Sequence, residues 1–364
     1  MINAQQQESL QKSFARVSFD RVERKLYGHD IAAMPLLVKP LLGNTVPDAV
    51  VQPQSEQDLV RLSEWANENR VALTPRGKAT SGYGGVLPVK QGVVVDFYHL
   101  KSVLRLDKAA LTVTVQPGIT WERLDRYLQA HGLTLRLYPS SYPSSTVGGW
   151  LAQGGAGFGS YRYGYFRQNV VSARLVLPSG KVKVLSGDDL ELAADAEGIT
   201  GMISAVELNI MPREEMGLIA LGAREPAEFQ RLIEAVAAAD LPVWSVMFIN
   251  PKMAELKNLA PHGESLHGPA AEPVVLPEVY ILTLAYPLSE SVRMEAGVQA
   301  ILSGRPVERL SEAIAHHEWE NRFKLMAVKR LGPSLVPSEV VVPLKNLAAA
   351  LEEIGQKVGQ PLVK

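Results

Sequence analysis

The sequence predicts an α+β protein of two domains. Three observations carry that prediction. The chain has 364 residues, more than one small domain needs. Up to Pro212, short β-rich runs outnumber helices and never settle into the strand–helix alternation of a doubly wound sheet. Beyond Pro212 the rhythm changes to longer strand–helix units, so the boundary is expected near residue 213. Residues 1–26 are expected to form a helical segment, 27–212 a first domain and 213–364 a second.

The elements follow in order. Residues 5–26 place Leu10, Phe14, Val17 and Leu26 on a rough helical stripe and read as one amphipathic helix. "PDAVVQPQ" is a short strand. "SEQDLVRLSEWANENR" opens with Ser55 three residues before Asp58, a capping arrangement, and runs as a helix to Arg70. "VALTP" is a strand that enters a glycine-rich loop. "GVVVDF", "LKSVLRLD" and "LTVTVQPG" are β-rich runs, and "TWERLDRYLQAHG" is a helix ending on Gly132. "NVVSARLVLPSGKVKVLSG" reads as a hairpin turning at Pro178-Ser179-Gly180, and "GMISAVELNIMP" as a closing strand.

In the second half, "GLIALGA", "EPAEFQRLIEAVAAAD" and "VWSVMFI" form a strand–helix–strand unit. "VYILTLAY" and "SESVRMEAGVQAILSG" begin another. Between them "NLAPHGESLHGPAAEPVVLPE" is a long connection of functional or mobile character. A helix is expected from Ser311 to Arg330, then a strand at "SEVVVP" and a helix at "LKNLAAALEEIGQKVG". The terminal "QPLVK" looks like the start of a strand, either a loosely held tail or one completed by a further segment or a partner chain.

Composition narrows the function. A net charge of −1 draws the chain neither to nucleic acid nor to anionic lipid, and no run mixes basic and aromatic residues. Apolar stretches fall short of a membrane span, and the N-terminus lacks an apolar signal core, so a cytoplasmic location is expected. The absence of cysteine excludes disulfides, thiolate nucleophiles, cysteine-bound zinc and iron–sulfur clusters held by this chain. Electron transfer here would require an organic cofactor and an external acceptor.

Three glycine clusters stand out. "LTPRGKATSGYGGVLP" (73–88) packs four glycines, Arg76, Lys78 and several hydroxyls into sixteen residues. "SSTVGGWLAQGGAGFGSYRYG" (144–164) and "AEGITGM" (196–202) follow. Successive amides in such loops converge on phosphate oxygens, and Ser and Thr hydroxyls add donors. Two of them face to face would hold a pyrophosphate. No G-x-G-x-x-G sits between a strand and a helix, and no G-K-[ST] occurs, so neither the Rossmann nor the Walker site applies. A structural glycine-rich module without a dinucleotide is the bland alternative.

The segments "PDAVVQPQSEQDLVRLSEWANENRVALTPRGKATSGYGG", "VVVDFYHLKSV", "VQPGITWERLDRYL", "STVGGWLAQGGAG", "YRYG" and "AEGITGMISAVEL" resemble the FAD-linked oxidases. This family shares its flavin domain with p-cresol methylhydroxylase (PCMH) and vanillyl-alcohol oxidase. The likeness is nearest to the FAD subunit of glycolate oxidase and to the D-lactate and other D-2-hydroxyacid dehydrogenases. It is strong over 27–212 and weak over 213–345.

The resemblance implies a two-subdomain, PCMH-type FAD-binding domain followed by an α/β, ferredoxin-like cap domain that lacks its C-terminal end. It implies an FAD pyrophosphate held by Arg76, Gly77, Lys78, Ala79, Thr80 and Ser81 on one side. On the other side stands the run Pro139 to Gly149, with Pro139, Ser140, Ser144 and Ser145. Thr146, Gly148, Gly149, Gln153, Gly154 and Gly155 would lie near the pyrophosphate and flavin. Glu197, Gly198, Ile199, Thr200, Gly201 and Ile203 would lie near the adenosine end.

Departures accompany the likeness. Lys78 and Ala79 stand where the family has glycines, and Trp150 and Gln153 where it has asparagines. With no histidine in the first loop and no cysteine anywhere, the FAD is expected to be non-covalent.

In the second domain "EWENR" matches a tryptophan-x-x-arginine pattern, which makes Arg322 the expected anchor of a substrate carboxylate. Met326 and Pro337 replace the threonine and lysine of dicarboxylate-specific relatives. The family's G-H-x-G-D-G-N-x-H segment, source of metal ligands and a catalytic histidine, would follow Lys364. No metal ligands are therefore expected here, and the base is not identified. His316 and His317 are adjacent on a helix and cannot both face one site, while His316 with Glu320 has only the spacing of a weak pair.

The implied reaction is hydride removal from C2 of a small 2-hydroxy acid to the flavin, with electrons leaving to an iron–sulfur or other accepting partner subunit, or to quinone. Association with a membrane would be peripheral, through such a partner. Two alternatives are a partner-dependent electron-relay subunit and an FAD-dependent alcohol or sugar-lactone oxidase.

Overall fold

The computed structural model describes residues 2–31, 39–260, 274–324, 328, 330–332, 338, 340–358 and 362–363. Its chain divides into two compact units, one of Met1–Gly157 with Tyr163–Arg213, the other of Phe158–Arg162 with Glu214–Lys364.

The first unit begins with α1 (Ala4–Ser13), capped by Asn3 and Gln6 in a reciprocal box. The single helix expected over 5–26 is interrupted. β1 (Val17–Ser18) pairs antiparallel with Val50 and Val51, and Asp20 caps a second helix, α2 (Arg21–Leu26), by accepting from the amides of Val22 and Glu23. Sheet pairing and a new cap outweigh the helical stripe. Leu10 and Phe14 are buried in one cluster with Val51, Leu59, Trp65 and Val95.

β2 (Ala49–Val51), α3 (Glu56–Asn69) and β3 (Leu73–Arg76) form a β–α–β crossover. β4 (Val93–Asp96) lies between the two strands, parallel to both, giving a sheet of order β1-β2-β4-β3. Ser55 caps α3 by accepting from the Asp58 amide, and Leu59, Leu62, Trp65 and Ala66 form its buried face.

β5 (Val103–Asp107) and β6 (Thr112–Val115) open a second sheet. α4 (Trp121–Gln129) follows, capped by Thr120 and burying Trp121, Leu124 and Leu128. β7 (Leu133–Leu135), α5 (Val147–Gln153) and α6 (Ser160–Tyr163) lead to β8 (Val170–Val176), β9 (Val182–Leu185) and the long β10 (Met202–Pro212). The sheet order is β5-β6-β10-β8-β9, with β7 on β10. The β8–β9 hairpin closes at the predicted Pro178-Ser179-Gly180 turn, where Gly180 holds φ +81°.

The second unit is a ferredoxin-like β-α-β-β-α-β layer. β11 (Met216–Ala223), α7 (Pro226–Ala238), β12 (Ser245–Ile249), α8 (Pro251–Leu259), β13 (Tyr280–Pro287), α9 (Ser291–Leu302) and β14 (Val307–Arg309) follow in sequence. The sheet runs β12-β13-β11-β14 with every neighbour antiparallel. One face buries Ile219, Leu221, Leu282 and Leu284 against α7 and α9, and the other buries Ala220, Ile249 and Ile281 toward α8 and α10 (Glu312–Glu320).

Several expectations are corrected here. The helix predicted over Ser311–Arg330 stops at Glu320, where the Asn321 amide closes back on the His317 carbonyl. "SEVVVP" forms no strand among its described residues. Val340 and Val341 are largely exposed and have no strand partner. α11 (Leu347–Lys357) matches the last predicted helix. Of the terminal segment, Val363 exchanges backbone contacts with Asn250, its amide donating to Asn250 Oδ1 and its carbonyl accepting from the Asn250 amide. Most of the 258–278 connection, with His262 and His267, lies outside the described residues, as do Met326 and Pro337. No helix among the described residues is long and apolar enough to cross a membrane.

Candidate functional site

The three glycine clusters meet in the first unit. The first loop leaves the C-terminal end of β3, the edge of a parallel sheet where ligands of open α/β layers bind. The amides of Lys78, Ala79 and Thr80 donate to no acceptor among the described residues. Ala79 holds φ +52°, so the loop keeps a glycine-type turn with a side chain present, at a cost of roughly 1 kcal/mol.

The second loop faces the first directly. A Cβ on Gly77 would lie 2.4 Å from Thr146 Oγ1, so only a glycine allows this approach. Thr146 caps α5, accepting from the Gly149 amide at 3.2 Å. Gly148 is pressed onto Pro117, whose Cβ would be 2.4 Å from an added Cβ.

The third cluster closes on both. The Glu197 amide donates to the Ala152 carbonyl at 2.8 Å, Gly198 packs on Pro75, and Glu197 Oε2 lies beside Gly85. Burial, reinforced by the nearby charge of Asp195, pushes the Glu197 carboxyl above its usual range.

Between the loops lies a cleft of about 920 Å³, including its open mouth. Val86, Phe97, Trp150 and Ile203 supply apolar wall. Arg76, Thr80, Ser81, Ser141, Ser145, Thr146 and Gln153 supply donors. Of the residues expected from the sequence, Arg76, Gly77, Lys78, Ala79, Thr80, Ser81, Ser145, Thr146, Gly148, Gly149, Gln153, Glu197, Gly198 and Ile203 line it. Pro139, Ser140, Ser144, Gly154, Gly155, Ile199 and Thr200 do not, while Gly201 does. Ser140 and Ser144 are exposed, while Ser141 and Ser145 line the wall, joined by a 2.7 Å hydroxyl–hydroxyl bond. Gly154 and Gly155 hold φ +79° and +99° and turn the chain away after α5, with the Asp195 carboxylate in the space a Gly154 side chain would need.

Arg76 does not aim wholly into the cleft. Its guanidinium lies 5.3 Å from the centre of the Tyr27 ring and donates to the Tyr27 carbonyl at 3.3 Å. Burial lowers its proton affinity.

The second unit holds Arg322 in an aromatic frame, its guanidinium 3.9 Å from the centre of Trp319, 4.3 Å from Phe323 and 5.8 Å from Phe158. The Arg322 Nη1 also donates to the Trp319 carbonyl at 2.5 Å, so stacking and this bond together fix the guanidinium plane.

The sequence did not point to the buried cluster beside it. Glu318, 1% exposed, receives Lys257 Nζ at 2.5 and 2.6 Å and faces His317 Nδ1 at 3.0 Å. Burial raises the Glu318 carboxyl, yet the bonds from His317 and Lys257 and the lysine charge outweigh it and hold the group below its usual range. His316 reaches Glu312 at 3.6 Å rather than Glu320. No group of three or more metal-ligating side chains occurs among the described residues.

Comparison with known proteins agrees with this geometry. Residues 47–186 match the FAD binding domain family. The glycolate oxidase subunit GlcD of Bacillus subtilis is 27% identical over 333 residues, 86% of this chain and 69% of that protein. The mitochondrial D-lactate dehydrogenase (cytochrome) of Arabidopsis thaliana is 35% identical over 185 residues, 48% of this chain and 32% of its own length.

The chain carries an FAD binding domain over residues 47–186 and is similar to FAD-linked oxidoreductases. Its cofactor is FAD, and the opposed glycine loops fit a dinucleotide. A solved alkyldihydroxyacetonephosphate synthase shares the fold of this chain, with TM-score 0.82 and 21% identity over 98% of this chain and 75% of that one.

Proposed function

We propose that this protein oxidises a small 2-hydroxy acid of the glycolate or D-lactate type and hands the electrons to a partner subunit or to quinone. The observation that carries the reading is the length of the match. The 333 residues similar to a glycolate oxidase subunit exceed the 140-residue FAD binding domain match and continue into the second unit.

When bound, FAD supplies the two-electron acceptor for a CH–OH group. The chain supplies the rest. The amides of Lys78 to Thr80, with the hydroxyls of Ser145 and Thr146, offer donors to the pyrophosphate, and Trp150 and Phe97 offer apolar cover to the rings. Arg322 is the proposed carboxylate anchor, with its plane held by Trp319 and Phe323. These residues include no cysteine and so supply no ligand to an iron–sulfur cluster.

A second reading is favoured by the similarity to a bacterial protein that is a subunit of glycolate oxidase. On that reading the chain holds FAD but acts only with its partner.

The test is the visible spectrum of natively purified protein, before and after anaerobic glycolate or D-lactate. Flavin bands that bleach support the hydroxy-acid reading. Bands that persist favour the partner-dependent subunit, and a colourless protein that refuses added FAD overturns the cofactor site. Arg322→Met is expected to abolish bleaching by hydroxy acids and leave bound FAD in place. Retained bleaching would remove Arg322 as the carboxylate anchor, while bleaching by alcohols or sugar lactones but not by hydroxy acids would favour the oxidase of that class.

A further inference from the structure

Lys78 occupies a family glycine position and lines the FAD cleft, yet its ammonium stacks over the ring of Tyr98, 4.7 Å from the centre. Lys101 takes the same ring at 3.8 Å. Tyr98 is 44% exposed and walls a second groove on the reverse side of the Arg76-Gly77-Lys78 turn, a space of about 930 Å³ including its mouth. Arg16 and Arg76 line that groove as well.

The charge there is one-sided. Asp96 is the carboxylate among the lining residues, and it is already engaged, accepting from Tyr27 OH and Gln52 Nε2 at 2.8 Å each and from the Tyr98 amide at 3.1 Å. Asp30 adds a more distant attraction on Arg76. Arg16, Lys78 and Lys101 have no carboxylate within ion-pair distance among the described residues. Elsewhere on the surface, cations such as Arg105, Arg126 and Lys252 sit on neighbouring acids. Two ammonium groups gathered on one ring repel each other. Arg16, Arg76 and Lys78 line the groove, with Lys101 beside them on the Tyr98 ring; their mutual repulsion falls when an anion enters, and a concave wall concentrates the field of the lining cations.

We propose that this groove is a second anion-binding site, separate from the FAD cleft, for a small ligand carrying two or more negative charges, a phosphate ester or a polycarboxylate. The shape favours a small molecule, because the cations surround a concavity instead of spreading over a flat face. Arg76, Gly77 and Lys78 wall both spaces, so occupancy of one acts on the loop that forms the other. The proposal stands independently of the hydroxy-acid reading.

The experiment is calorimetric titration of the FAD-loaded protein with inorganic phosphate and, separately, with citrate, at ionic strength held constant with chloride. Saturable binding of one or both is expected, and the preferred probe identifies the head group. Arg16→Gln and Lys101→Gln should each weaken it about tenfold or more, with melting temperature and flavin absorbance unchanged. Neither residue lines the FAD cleft, so the same pair of variants tests the groove even if the protein fails to hold FAD. Heats that do not saturate, or binding that both variants leave intact, would overturn the proposal.

Discussion

The two units build their sites from different materials. The cleft of the first unit is made of backbone, with three loops brought together because Gly77 and Gly148 allow close approach to Thr146 and Pro117 and Gly198 takes a turn at φ +75° beside Pro75. The cluster of the second unit is made of side chains, with Lys257 on α8 reaching Glu318 on α10 across 61 positions of sequence. A backbone-built site depends on the absence of atoms at a few positions. A side-chain-built site depends on charges that must be matched.

The largest effect is expected where a matched charge is removed. Lys257→Met leaves the buried Glu318 carboxylate facing His317 alone, and loss of one partner from a buried pair costs about 3–5 kcal/mol. Urea unfolding should show that loss at neutral pH, and Lys257→Met with Glu318→Gln should recover most of it. Glu318 is held below its unfolded value, so its contribution is present above the ordinary carboxylate range and is lost as pH falls through the folded value. The cost of Lys257→Met should therefore shrink in acid. If the comparison holds, FAD absorbance survives in this variant while the stability does not.

Gly148→Ala tests the other material and should rank next. The new methyl meets the ring carbon of Pro117 at 2.4 Å and its backbone at 3.1 Å, so the second loop must shift. An overpacked site of this kind costs about 1–3 kcal/mol. FAD retention should fall with it, measured as flavin absorbance after gel filtration. Full FAD retention with unchanged unfolding would break the idea that the close approach of loops defines the cleft.

The same contrast explains what could be read from the chain. Glycine spacing is local, so all three loops, the Ser55 cap and the Gly180 hairpin were legible. The strand–helix alternation of the second unit was legible too, while its ferredoxin-like form was implied by the family resemblance. What failed to show was long-range. β1 breaks the N-terminal helix only because β2 lies beside it, and β14 is three residues with a partner in β11. Glu318 looked like an ordinary helix acid until α8 placed a lysine on it. Ser145 was expected and lines the cleft, but Ser141 lines it in place of the expected Ser140 and Ser144, because the turn geometry, not the composition, decides which serines face inward.

Glu197 sits where the two materials meet, and the smallest effect is expected there. It is a side chain in the backbone-built cleft, with its own backbone at φ +49° and its carboxylate against Gly85. Burial and the neighbouring Asp195 raise its proton affinity, so the folded state favours the protonated form more than the unfolded chain does. The resulting stability is present below the unfolded carboxylate value and is lost as pH rises through the folded one. Glu197→Gln removes that titration. Melting temperatures of the parent and the variant should coincide near pH ~4 and diverge toward pH ~7, the variant becoming the more stable. A carboxylate kept at such a position costs stability at neutral pH, as expected of a group retained for a ligand rather than for the fold. Parallel curves across the range would mean that Glu197 ionises as it does in the unfolded chain. The cleft would then be a backbone device throughout, with charge used only in the second unit.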